Sequence, residues 1–247
     1  MKQYEAVIQA MKANGGFATL GFLYQKTLKI PGVEWQTKTP FATIRRIVQD
    51  KRFFFKVKPG LWALLEFKNK LPIDVLPSSQ TSPSQQSEFN HAYYQGLLVE
   101  IGNLQNFETF IPNQDKNKEF LGKKLCEISS LSECYKFSYE FINKKAQTID
   151  ITWFNERKMP SHFFEIEYST DIQHSLLKFV ELQDFNSHFF IVADEFRFRE
   201  FDAKFSSYVF KPIKERTKFL DYEKIINWHT KTFEFSTLDN EINNGNY

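Results

Sequence analysis

The first seventy residues change hydrophobic rhythm several times, and each change predicts an element. Tyr4 to Ala13 repeats apolar residues at helical spacing, with Val7, Ile8 and Met11 as a stripe, and Asn14-Gly15-Gly16 ends the run. Phe17 to Thr19 reads as a short strand and Leu20 to Leu28 as a second helix. After the break at Pro31-Gly32, Thr39 is a suitable N-cap and Pro40 a suitable first helical residue. The helix Pro40 to Gln49 is expected to bury Phe41, Ile44 and Val48 and to present Thr43, Arg45, Arg46 and Gln49 on its other face. A hairpin follows: Phe53 to Val57, a turn at Lys58-Pro59-Gly60, then Leu61 to Glu66.

Periodicity stops in Pro-Ser-Ser-Gln-Thr-Ser-Pro-Ser-Gln-Gln-Ser-Glu, residues 77–88, a composition that cannot build a core. The expected division is residues 1–70, a linker over 71–88, a body over 89–235, and a disordered tail over 236–247, where periodicity is again absent. The body opens with a helix, Asn90 to Leu104, and a first strand within Asn106 to Pro112. Residues 116–145 read only as helix and loop. Then two runs alternate with the period of half-buried strands: Ile149-Asp150-Ile151-Thr152-Trp153-Phe154 and Phe163-Phe164-Glu165-Ile166-Glu167-Tyr168, joined by the polar segment Asn155 to His162. Asp150 and Thr152 share one face, as do Glu165 and Glu167. A helix capped within Ser169-Thr170-Asp171 runs to about Leu182, with Ile172, Leu176, Leu177, Phe179 and Val180 as its apolar face. His188 to Ala193 is a buried strand. Phe196 to Trp228 is mixed.

Charge sharpens the division. The net charge is +2, yet residues 1–70 hold 13 Lys/Arg against 4 Asp/Glu, and the remainder 19 against 26. A basic module ahead of an acidic body suits a DNA-docking element ahead of a metal site. Two cysteines, Cys126 and Cys134, make no disulfide framework and no zinc spacing, and the five histidines show no metal-ligand pattern. No signal peptide is expected, and the sequence holds no apolar run of membrane-spanning length and no glycine-rich nucleotide loop. A cytoplasmic protein without a nucleotide cofactor is expected.

Pairing of the two alternating runs would bring Asp150, Glu165 and Glu167 onto one pleated surface. Crowded carboxylates resist ionising together, and a divalent cation removes the conflict. Mg²⁺ favours one or two carboxylates plus a substrate phosphate. The alternative is a pair of amphipathic strands with a solvated acidic face.

Two resemblances extend this reading. Thr-Pro-Phe-Ala-Thr-Ile-Arg-Arg-Ile and Gly60-Leu61-Trp62-Ala63-Leu64 make residues 3–66 resemble the HARE-HTH variety of winged helix. That implies DNA contact by Thr43, Arg45, Arg46 and Gln49, with Lys51, Arg52, Lys56 and Lys58 on phosphates. Across residues 88–212 the chain resembles the restriction-endonuclease branch of the PD-(D/E)XK superfamily. The matching segments are Gln95-Gly96-Leu97-Leu98-Val99-Glu100-Ile101-Gly102, Phe107 to Pro112, Ile149 to Phe154, and Phe164 to Thr170 leading into Ser175-Leu176-Leu177-Lys178. The fold class implied is α/β (α+β): a winged helix-turn-helix plus a mixed β-sheet flanked by helices.

The resemblance implies that Asp150 and Glu165 bind Mg²⁺ with the backbone carbonyl of Ile166. Glu167 stands where the family most often has Lys, as general base or second-metal ligand, and Lys178 is a candidate for the missing cation. Glu100, Ser169 and Thr170 are accessory candidates. The implied reaction is hydrolysis of double-stranded DNA by a homodimer. A catalytically silent DNA-binding protein that kept the fold, and a protein-interaction module, are the competing readings.

Overall fold

A computed structural model describes residues 1–35, 38–78, 80–168 and 170–243. The chain forms two compact units, Met1–Ser78 with Ile226–Tyr247, and Ser79–Ile225.

In the first unit, α1 (Gln3–Ala13), β1 (Phe17–Thr19), α2 (Leu20–Thr27) and α3 (Pro40–Ile47) precede the hairpin β2 (Phe54–Lys58) and β3 (Leu61–Leu64). Asn14 closes α1, its amide donating to the Phe17 carbonyl at 2.8 Å. Thr19 caps α2 by accepting from the Phe22 N–H. Gly60 has φ +77°, the left-handed conformation that the hairpin turn needs. The sheet order is β1-β3-β2, antiparallel throughout. Val7, Met11, Leu23, Tyr24, Phe41, Ile44 and Phe54 form its core. Thr43 departs from expectation. It is buried with Phe41 and Ile44, because the packed face of α3 is wider than a three-residue stripe.

The second unit begins with α4 (Pro83–Leu104), seven residues before the sequence reading placed it. Ser82 and Gln85 make a reciprocal capping box, and Pro83 supplies the first helical position. Part of the supposed linker is therefore helix. There follow β4 (Glu108–Phe110), the small pair β5 (Glu119–Phe120) and β6 (Lys123–Lys124), α5 (Leu125–Ile128), α6 (Glu140–Ala146), β7 (Ile151–Phe154), β8 (Pro160–Glu167), α7 (Ile172–Val180), β9 (His188–Ala193), α8 (Phe198–Phe205) and β10 (Thr217–Asp221). The last helix, α9 (Tyr222–Asn243), crosses the boundary between units and runs on through residues 236–243, where the sequence reading expected an irregular tail.

The main sheet has the order β10-β9-β8-β7-β4. Strands β4, β7 and β8 pair antiparallel, whereas β9 and β10 join parallel. The β7–β8 turn is shorter than expected. Asn155 accepts from the Arg157 and Met159 N–H groups, and Pro160 already pairs with Phe154. Proline is acceptable there because it opens the strand. On one face Phe163, Phe189 and Ile191 meet Ile172, Leu176 and Phe179 of α7 and Phe201 of α8. Leu177 is 39% exposed and does not belong to that apolar face. On the other face Phe164 stacks on Phe190 and meets the tilted ring of Trp153, and Gly102 of α4 leaves room for the Trp153 indole.

His162 sits among Phe107, Trp153, Phe164 and Phe190. Burial, then the nearby His188, pushes its imidazole down to about 4. It folds neutral, whereas the unfolded chain takes up the proton below about pH 6.5. Stability is therefore whole above that pH and declines as pH falls towards 4. Urea unfolding at pH 7.5 and pH 5 should differ by about 1–2 kcal/mol from this residue. His162→Phe should remove that part of the difference.

Candidate active site

The β7–β8 register pairs Ile151 with Phe164, so Asp150, the residue before β7, stands level with Glu165. Glu167 lies two residues further along β8, on the same face as Glu165. Asp150, Glu165 and Glu167 are 9%, 3% and 3% exposed. The acidic surface is therefore no solvated face. Three carboxylates are buried beside an aromatic core, a costly arrangement unless each is compensated.

Compensation for the glutamates comes from α7. Asp171 caps this helix by accepting from the Gln173 N–H. Ser175 and Lys178, three residues apart, then share a helix face. Lys178 Nζ stands 2.9 Å from both Glu165 oxygens and 3.2 Å from the Thr148 carbonyl. Ser175 Oγ reaches Glu165 at 3.0 Å and also donates to Glu167. The Thr170 hydroxyl donates to Glu167 as well. Burial, then the Asp150 charge, pushes the Glu165 carboxyl well above its usual range, against the pull of Lys178.

Asp150 is held from α4. His91 Nε2 lies 3.1 Å from its Oδ2, and the Ile166 N–H donates to the same oxygen at 2.7 Å. Burial opposes its ionisation, but His91, the Ile166 N–H and Lys178 outweigh that and hold the carboxyl below its usual range. Burial likewise opposes a charge on His91, but Asp150 wins and raises its imidazole. The fully buried Gln95 donates to the Asp150 carbonyl at 3.1 Å and to Asp115 at 2.8 Å, and Lys118 pairs with Asp115 at 2.7 Å.

These groups open into a cavity of about 700 Å³, lined by His91, Lys118, Asp150, Glu165, Ile166, Glu167, Thr170, Ser175 and Lys178 among others. The structure thus brings together Asp150, Glu165, Ile166, Glu167, Thr170 and Lys178. Glu100 is not among the lining residues. It sits nine positions beyond His91 on α4, about 13 Å along the axis. Ser169 lies outside the described residues. His91, Gln95 and Ser175 escaped the sequence reading as site residues. His91 and Gln95 carried one usable signal, polar side chains four apart on a helix otherwise rich in apolar residues.

The donors suit a hard divalent cation. Asp150, Glu165 and the Ile166 carbonyl offer oxygen, and two buried carboxylates at one level are a charge conflict that such an ion relieves. Among the described residues no group of three His, Cys, Asp or Glu is arranged to hold a metal by itself.

The basic residues of the first unit divide. Arg46, Gln49, Lys51 and Lys56 are exposed and Arg45 is half-buried. Arg52 is committed to Asp50 through a two-pronged pair at 2.6–3.1 Å. Lys58 donates to the Asp74 carbonyl at 3.3 Å, and burial pushes its ammonium down to about 8. Thr43 is buried, as noted above.

A mixed sheet flanked by helices, with paired buried acids and a lysine at one cavity, defines an α/β protein with an acidic pocket. The chain belongs to the family of the type II restriction enzyme NmeDI C-terminal domain, whose model matches residues 70–241. The type II restriction enzyme NmeDI of Neisseria meningitidis serogroup C is 27% identical over 152 residues, covering 53% of this chain and 43% of that protein. The chain therefore matches less than half the length of that relative. No solved structure matches the chain. No described helix is long and apolar enough to cross a membrane.

Proposed function

We propose that this chain is a Mg²⁺-dependent endonuclease of the type II restriction kind, hydrolysing phosphodiester bonds in double-stranded DNA. The observation that carries the reading is the buried pair Asp150 and Glu165, set level by the β7–β8 register, with Lys178 on Glu165. Membership of the NmeDI family supports it. The order α4, β4, β7, β8, α7, β9, with three antiparallel strands and then a parallel one, favours the PD-(D/E)XK fold.

Asp150, Glu165 and the Ile166 carbonyl would hold the ion, which supplies electrophilic stabilisation of the scissile phosphate and acidifies water. Lys178 offsets the Glu165 charge and presents its ammonium to a phosphate in the cavity. Ser175 and Thr170 orient Glu167, which faces the same space as a candidate base. Glu167 at the usual lysine position is the best argument for a silent DNA-binding protein. A lysine delivered from α7 answers that argument. Cleavage of both strands needs two such sites, so we propose a homodimer. Incubating varied DNAs with Mg²⁺ tests the reading: discrete fragments from the wild type that disappear with Asp150→Ala support it. Intact DNA with retained salt-sensitive binding would favour the silent reading.

We also propose that the first unit is a winged helix that docks on DNA. Its element order, its three-stranded sheet and the exposed Arg46, Gln49, Lys51 and Lys56 support this. Lys51→Ala with Lys56→Ala should weaken DNA binding and reduce the slope of log affinity against log salt by about two. A titration at several salt concentrations measures it. Arg52→Ala should change that slope little, because Asp50 already occupies the guanidinium.

A further inference from the structure

Gln95 lies on α4 with no exposure to solvent, and both its amide hydrogens and its amide oxygen have partners. Its Nε2 reaches the Asp150 carbonyl at 3.1 Å and Asp115 Oδ2 at 2.8 Å. Both neighbours are acceptors, so this atom is the amide nitrogen and the other is the carbonyl oxygen. That oxygen stands 3.1 Å from His91 Nδ1. An amide oxygen only accepts, so Nδ1 of His91 carries the hydrogen. The opposite ring nitrogen, Nε2, then faces Asp150 Oδ2 at 3.1 Å. Gln95 therefore grips Asp150 twice, directly at the main chain and through His91 at the carboxylate. Lys118, paired with Asp115, closes the outer end of this relay. A leucine would hold α4 against the sheet with less desolvation, so packing alone does not account for a buried amide here.

We infer that Gln95 is a positioning residue of the candidate active site, fixing the Asp150 carboxylate through His91 and its main chain directly, an inference that rests on the nuclease reading for what Asp150 then does. One consequence is local. The Ile166 N–H donates to Asp150 Oδ2 at 2.7 Å, so its exchange with solvent reports whether that carboxylate keeps its place.

The test uses the full chain with Gln95→Leu, Gln95→Glu, and Gln95→Glu combined with Asp115→Asn. Gln95→Glu sets a carboxylate against both Asp115 and the Asp150 carbonyl, and the added Asp115→Asn restores a donor opposite an acceptor at the first of these only. Single-turnover cleavage, DNA affinity and exchange of the Ile166 amide are measured together. Both single variants are expected to cleave roughly 10- to 100-fold more slowly with DNA affinity unchanged. The Ile166 amide should exchange faster while the Phe163 and Phe164 amides keep their protection, and the double variant should recover part of the lost rate. Wild-type rates and unchanged Ile166 exchange in Gln95→Leu would overturn the inference. Faster exchange all along β8 would also overturn it by reducing Gln95 to a packing element. If wild-type protein cleaves no DNA, the nuclease reading falls, and the Ile166 amide alone decides whether Gln95 positions Asp150.

Discussion

Glu165→Ala is expected to lower DNA cleavage by roughly 10³-fold or more while leaving the fold intact. The physical case starts from the cost of this side chain. Glu165 is buried beside Asp150, and its carboxyl is pushed well above the usual range by burial first and by that neighbour second. A group in this position opposes folding at neutral pH unless Lys178 and Ser175 offset it. Removing it relieves Asp150 of a like charge, while Lys178 keeps the Thr148 carbonyl at 3.2 Å. The melting temperature should therefore stay within a few degrees of wild type or rise. Loss of activity with stability preserved is the behaviour of a group retained for chemistry at the expense of packing. The measurement is a single-turnover cleavage assay beside a thermal melt. Cleavage within tenfold of wild type would remove Glu165 from the site. A collapsed melt would make it a structural residue.

The same cost explains what the chain discloses from sequence and what it conceals. The alternation through β7 and β8 carries the carboxylates, because a period of two assigns every residue to a face once the turn is known. Asp150, Glu165 and Glu167 are accordingly readable. The start of α4 was written in Ser82, Pro83 and Gln85, yet it lay inside a run whose composition reads as linker, and local capping chemistry prevailed over composition. Thr43 and Leu177 show the limit of helical stripes, since neighbouring elements decide how wide the buried arc is. His91 was harder. Its partner Asp150 is 59 residues away, and the pairing depends on how α4 crosses the sheet, which no local pattern encodes. Lys178 lies between these cases. Ser175 and Lys178 share a face by helical spacing, but only the packing of α7 over β8 brings that face to Glu165.

That packing gives the second large effect. Lys178→Met is expected to reduce cleavage by about 10²-fold, and more at low pH than at high pH. Lys178 is among the influences that hold Glu165 down. Without the ammonium the carboxyl moves further up, so the ionised form appears only at higher pH. The acid limb of the pH–rate profile should shift upward, which a profile from pH 6 to pH 9 would display. Lys178→Arg keeps the charge but not the compact shape of a side chain only 16% exposed, so partial activity is expected. The sharper experiment relocates the cation. In the proposed PD-(D/E)XK reading Glu167 stands where lysine is usual, and its side chain shares Ser175 with Glu165. Adding Glu167→Lys to Lys178→Met should restore part of the rate and return the acid limb towards wild type. Recovery would show that the pocket requires one cation at Glu165 and tolerates its arrival from either β8 or α7. If the pair stays as slow as Lys178→Met alone, Glu167 has its own role, and Ser175 and Thr170 hold it for that purpose.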